Sequence, residues 1–207
     1  MVKETERLAA LCRGWELWAA SARRDEDGWQ TDYPAWEELL ATAKAVILQP
    51  DLGEAALRNL DFCWAISDED EPFISYSQEH LEQCWAALYM LAQSARPETR
   101  WQVFVVLGSA LGNSAAEAIL RQALDDADSY CRRRALLSLA RFAPDDAKDL
   151  AARFLDDDDP YLRQAAIEMV RVSSDVRFTD RVRLQLLGDP VWHVRDAAQS
   201  LDKCADS

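Results

Sequence analysis

Apolar residues recur at spacings of three and four along almost the whole chain, the period of amphipathic helices rather than of strands. The pattern predicts helices over 4–24, 33–48, 53–66, 77–94, 97–112, 114–125, 129–143, 145–156, 160–173, 175–187 and 190–204, with no strand between them. The punctuation agrees. Asp32 precedes Pro34, Asp51 and Glu54 have the spacing of a capping box, and Asn113 precedes an Ala-rich run. Pro144, Pro160 and Pro190 stand where a helix starts or must turn.

Composition strengthens this picture. Of 207 residues, more than a quarter are Ala or Leu, against six Gly and seven Pro. Such residues lose little entropy in a helix, and few breakers interrupt them. A hydrophobic share of 49% suffices for a sizeable core. The opening Met1–Arg7 lacks the apolar stretch of a signal peptide. No segment has the length of a membrane span. Five cysteines, odd in number and without a Cys-x-x-Cys pair, fit reduced thiols and a cytoplasmic location.

The second half repeats itself. One copy runs from Leu124 through Asp126 and Cys131-Arg132 to Ala135. The next runs from Leu155 through Asp157 and Leu162-Arg163 to Ala166, and a third from Leu187 through Asp189 and Val194-Arg195 to Ala198. In each, Asp precedes Arg by six positions, an apolar residue directly precedes Arg, and Ala follows it by three. Arg132 to Arg163 spans 31 positions and Arg163 to Arg195 spans 32. A weaker copy ends at Arg100, with Ser94 in the place of the Asp. Asp at that place can cap the incoming helix, and Arg can reach more than one carbonyl or carboxylate.

These copies resemble the short HEAT-like repeats of phycobilin lyase-type proteins, over residues 94–204. The resemblance implies an all-α fold, a right-handed α-α superhelix of about five to six antiparallel helix pairs. It also implies that Asp126, Arg132, Asp157, Arg163, Asp189 and Arg195 form a structural ladder between repeats. Neighbour-only contacts require capped ends. Residues 1–93 keep the helical period without the signature, and are expected to be diverged hairpins closing one end of a single domain over 1–207. They hold Trp15, Trp18, Trp29, Trp36, Trp64 and Trp85, most of them expected in the core. Trp29 sits in a polar stretch, where its ring either meets a partner or folds back on the first hairpin.

Charge narrows the choice of partner. The net charge is −14, with −10 of it in residues 1–100. Such a field opposes nucleic-acid binding and steers a basic protein. Four consecutive acids, Asp68, Glu69, Asp70 and Glu71, are followed within five residues by Phe73 and Tyr76. Acids that steer beside aromatics that anchor suit an interface with a basic partner, although Phe73 and Ile74 could equally tuck beneath the helices.

Catalytic chemistry is scarce. His80 and Cys84 share a helix face, but nothing nearby would orient them as a nucleophile pair, and core packing is the alternative. There is no zinc spacing, phosphate loop or nucleophile elbow. Asp156–Asp159 lacks the Gly and distal Glu of a calcium loop and reads as helix capping on a repeat turn. No cofactor and no metal are expected. By the resemblance, the second helix of each pair lines a concave groove that includes Glu117, Arg121, Lys148, Arg153 and Arg181. A HEAT-like alkylpurine DNA glycosylase would use such a groove, but the surface is mixed in charge and poor in rings. The expected function is a non-catalytic protein-binding module, most sharply an immunity or antitoxin protein covering a basic toxin. A groove-based nucleic-acid enzyme and an assembly chaperone or adaptor are the alternatives. Oligomeric state is not legible from the residues.

Overall fold

The structure is a computed structural model that describes residues 2–22, 29–67, 69–142, 146–171 and 175–201. Among these residues it is all helical. Twelve α-helices and one short 3-10 helix occur, and no strand. The chain forms two compact units, Met1–Val106 and Leu107–Ser207. No helix among the described residues is long and apolar enough to cross a membrane.

The first unit contains α1 (Val2–Ala19), the 3-10 helix Trp29–Asp32, α2 (Trp36–Ile47), α3 (Glu54–Ile66), α4 (Ile74–Glu79) and α5 (Leu81–Leu91), and most of α6 (Pro97–Leu107). α1 packs on α2 and α3, and both α2 and α3 reach α5. Leu8, Leu39, Ile47, Leu60, Trp64, Phe73 and Leu88 are fully buried between them. Trp64 and Phe73 stack with centroids 5.3 Å apart and planes 8° apart. Of the described tryptophans among the six, only Trp36 and Trp64 are buried. Trp15, Trp18 and Trp85 are half-exposed, so the expectation that most of these rings are core is corrected. Trp15 packs edge-on to Phe62 at 5.4 Å, and Trp18 lies 5.6 Å from Tyr33. These rings cover the surface of the first hairpin rather than fill its centre.

The stretch 77–94 is not one helix. His80 leaves helical geometry (φ −118°, ψ 31°) and ends α4 as it begins α5. Its ring stacks on Tyr76 at 4.4 Å and its Nδ1 lies 2.9 Å from the Tyr76 carbonyl, so the side chain holds the break. The Asp51–Glu54 capping box does not form. Gly53 is the N-cap, without a side-chain bond, and Glu54 instead pairs with Arg58 one turn on. Asp32 closes the 3-10 helix rather than capping α2, which starts at Trp36.

The second unit contains α7 (Ser114–Ala123), α8 (Ser129–Phe142), α9 (Ala147–Ala152), α10 (Pro160–Arg171), α11 (Val176–Leu186) and α12 (Trp192–Gln199). α10 is central, packing on α8, α9, α11 and α12. It buries Leu162, Ala165, Ala166, Ile167, Met169 and Val170. Small Ala positions at this spacing let neighbouring helices approach, and the branched residues between them fill the seam. Pro160 opens α10 at the position where its missing N–H costs nothing. Asn113 caps α7 as expected, accepting from the N–H groups of Ala115 and Ala116. Pro144 lies outside the described residues.

Candidate functional site

The repeat signature builds one clamp several times. Arg132 Nη1 donates to the Asp126 carbonyl at 2.9 Å, Arg163 Nη1 to the Asp157 carbonyl at 2.7 Å, and Arg195 Nη1 to the Asp189 carbonyl at 2.6 Å. Each aspartate folds its own turn by accepting from the N–H two residues on, at Asp128, Asp159 and Val191. Ser94 and Arg100 reproduce both contacts: Arg100 Nη1 reaches the Ser94 carbonyl at 2.8 Å, and Ser94 Oγ accepts from the Arg96 N–H. Arg163 also pairs with Asp189 of the next repeat through two parallel bonds of 2.8 and 2.9 Å. These side chains are only 11% and 4% exposed, and the guanidinium holds the Asp189 carboxyl below its ordinary range. The six expected ladder residues engage the backbone of their own turns, and Arg163 in addition bonds the aspartate of the next repeat.

The expected groove residues sit on α7, α9 and α11 and are mostly neutralised. Arg121 bonds Glu117 at 2.9 Å and pairs with Asp146, the N-cap of α9. Lys148 pairs at 2.8 Å with Asp175, the N-cap of α11, and lowers that carboxyl's pKa. Arg153 pairs with Asp125, and Gln185 donates to Asp156 at 2.8 Å. Arg181 lies 5.5 Å over the Phe178 ring. A cation on one second helix therefore binds the cap of the next.

The acidic loop is a tight turn. The Glu71 N–H bonds the Ser67 carbonyl, the Ile74 N–H bonds the Glu71 carbonyl, and Glu71 adopts φ +49°, unusual for a residue with a Cβ. Glu69, Asp70 and Glu71 are exposed, and their side chains make no ion pair among the described residues. Phe73 is a correction. It is completely buried against Trp64, so it cannot anchor a partner, and the tucked alternative describes it. Tyr76 is half-buried between His80 and the Lys44 ammonium, 5.4 Å from its ring. Asp68 and the side chain of Trp29 lie outside the described residues.

Cys84 is fully buried and burial pushes its thiol up, while the His80 ring faces the Tyr76 carbonyl. That geometry suits core packing, not an activated thiolate. Among the described residues no three His, Cys, Asp or Glu side chains converge on a metal position. In the Asp156–Asp159 run, Asp157 and Asp159 accept backbone N–H groups of their own turn, as capping requires.

Residues 85–171 match the family model of HEAT repeats. That stretch contains the clamps at Ser94–Arg100, Asp126–Arg132 and Asp157–Arg163, and the Asp189–Arg195 clamp beyond it has the same geometry. Among solved structures, a designed armadillo repeat protein is 15% identical with a TM-score of 0.54, covering 98% of both chains. A computationally designed armadillo repeat protein for modular peptide recognition is 14% identical with a TM-score of 0.57, again over 98% of both. At such identity the likeness establishes the helical-repeat fold alone. No curated protein matches the chain.

A row of rings on the first helices was missed. Tyr130, Tyr161 and His193 each follow a repeat aspartate by four positions. Arg133 lies 5.9 Å from the Tyr130 ring and 5.3 Å from the Tyr161 ring. His193 stacks on Tyr161 at 4.7 Å, and Trp192 meets His193 edge-on at 5.8 Å. The signal lies inside the repeat signature itself, at the aromatic position between its Asp and its Arg.

Proposed function

We propose that this chain is a non-catalytic protein-binding module that engages a basic protein through Glu69, Asp70 and Glu71, in the manner of an immunity or antitoxin protein. The observation that carries this reading is the contrast between acids. Asp125, Asp146, Asp175 and Asp189 are all engaged by Arg or Lys. Glu69, Asp70 and Glu71 stand exposed on a fixed turn without such partners. Exposed beside the Glu71 N–H to Ser67 carbonyl bond, in a chain of net charge −14, they can steer and orient a basic surface. A nucleic-acid enzyme would need unneutralised cations, whereas Arg121, Lys148 and Arg153 each face a carboxylate.

The test is affinity capture from a lysate of the native cell at low salt. The wild-type chain is compared with a Glu69→Ser, Asp70→Ser, Glu71→Ser variant, with salt elution and mass spectrometry. One basic protein is expected, retained by the wild type and lost by about tenfold or more in the variant. Equal capture by the variant removes the acidic loop from the reading, and elution of nucleic acid overturns it. Suppression of the captured protein's toxicity on co-expression supports the immunity form.

A further inference from the structure

The ring row of the second unit carries an inference of its own. Tyr130 is 39% exposed, Tyr161 52% and Trp192 70%, a concentration of large apolar surface that a repeat face does not need for folding. Arg133 is wedged between Tyr130 and Tyr161 at the middle position of the Arg132-Arg133-Arg134 run, the longest run of bases in the sequence. Arg132 is engaged with backbone carbonyls, and Arg121, Lys148, Arg153 and Arg163 all pair with acids. Arg133 has no carboxylate partner among the described residues, and its Nε is screened from solvent with no hydrogen-bond partner. A guanidinium pre-ordered between two rings is an anion receptor that loses little entropy on binding.

The matching positions of the next repeats differ in a graded way. Where the first has Arg133, the second has Gln164 and the third Asp196. Gln164 meets His193 across the repeats, Oε1 to Nδ1 at 3.1 Å, and Asp196 is exposed. The stripe therefore runs from cationic to neutral to anionic. Packed helices lie about 8–10 Å apart, and an extended or polyproline chain rises about 3.1–3.4 Å per residue. About three residues of such a chain span each repeat. Bases of a single-stranded nucleic acid need open ring faces, but the Tyr161 ring is already covered by Arg133 and His193.

We propose that Tyr130, Arg133, Tyr161, His193 and Trp192 form a docking stripe for an extended acidic peptide segment of another protein, with an acidic side chain of that segment on Arg133. This surface and its partner chemistry are separate from the acidic loop and do not depend on it. The probe is a fluorescein-labelled peptide of four Glu-Pro-Pro triplets, followed by fluorescence anisotropy with the full chain at low salt. A peptide of Lys-Pro-Pro triplets and an oligothymidylate of the same length are the controls. Saturable binding of the acidic peptide is expected, weakened about tenfold in Arg133→Gln and severalfold in Trp192→Ala. Trp192 is so exposed that its replacement leaves folding intact, and thermal melts verify both variants. The proposal is overturned if the acidic peptide does not saturate, if the lysine peptide or the oligonucleotide binds as well, or if both variants bind like the wild type.

Discussion

Residues 94–201 and the helices before them set the entry of a helix in different ways. In the repeats, a turn of fixed polar geometry does it: an Asp or Ser side chain takes the N–H two residues on, and an Arg six residues on takes the carbonyl. In the first helices, large rings do it. Trp64 and Phe73 stack in the core, and the His80 ring holds the kink between α4 and α5. A polar clamp can be copied from repeat to repeat because its partners lie within six residues. A ring-packed core fits one set of neighbours only, and leaves no period in the sequence.

The contrast can be broken at its strongest points. Trp64→Ala removes a fully buried ring, and the expected loss is about 4 kcal/mol in urea unfolding. A loss near 1 kcal/mol or less would show that the first unit is not organised around the Trp64–Phe73 stack. Arg163→Ala leaves Asp189 nearly buried without its partner and is expected to cost about 3 kcal/mol at neutral pH. Arg163→Lys should recover little, since an ammonium cannot span a carboxylate and a carbonyl in the same plane. The Asp189 carboxyl is depressed in the fold, so this contribution is complete above its ordinary pKa of 3.8 and fades as pH falls through the lower folded value. The cost of Arg163→Ala, measured by denaturation at pH 7 and in strong acid, should shrink accordingly. A pH-independent cost would mean that the carbonyl bonds to Asp157 and Asp158, not the ion pair, hold that rung. The smallest expected effect is Asn113→Ala. Losing a cap that accepts from two N–H groups costs about 1 kcal/mol, visible as a small shift in the thermal midpoint.

The same division governs what was legible. Asn113, Pro160 and the Asp–Arg pairs were readable because each acts on backbone within a few residues. The Asp51–Glu54 spacing misled because Glu54 at the start of α3 meets Arg58 instead, an i,i+4 pair whose spacing was equally present in the sequence. Phe73 was balanced between an exposed anchor and a tucked ring, and only the position of Trp64 resolves it.

Helical period, repeat length and the clamp at each repeat turn follow from the order of residues alone, because they depend on contacts within a turn or two of chain. The neutralisation of Arg121, Lys148 and Arg153, the burial of Phe73 and the alignment of Tyr130, Arg133, Tyr161 and His193 into one row do not. Those partners lie roughly a repeat apart or across a loop, and which helix faces meet is set by packing. That is why the sequence showed what kind of scaffold this is, while the pairing of the second-helix cations and the row of exposed rings were decided by how the helices stack.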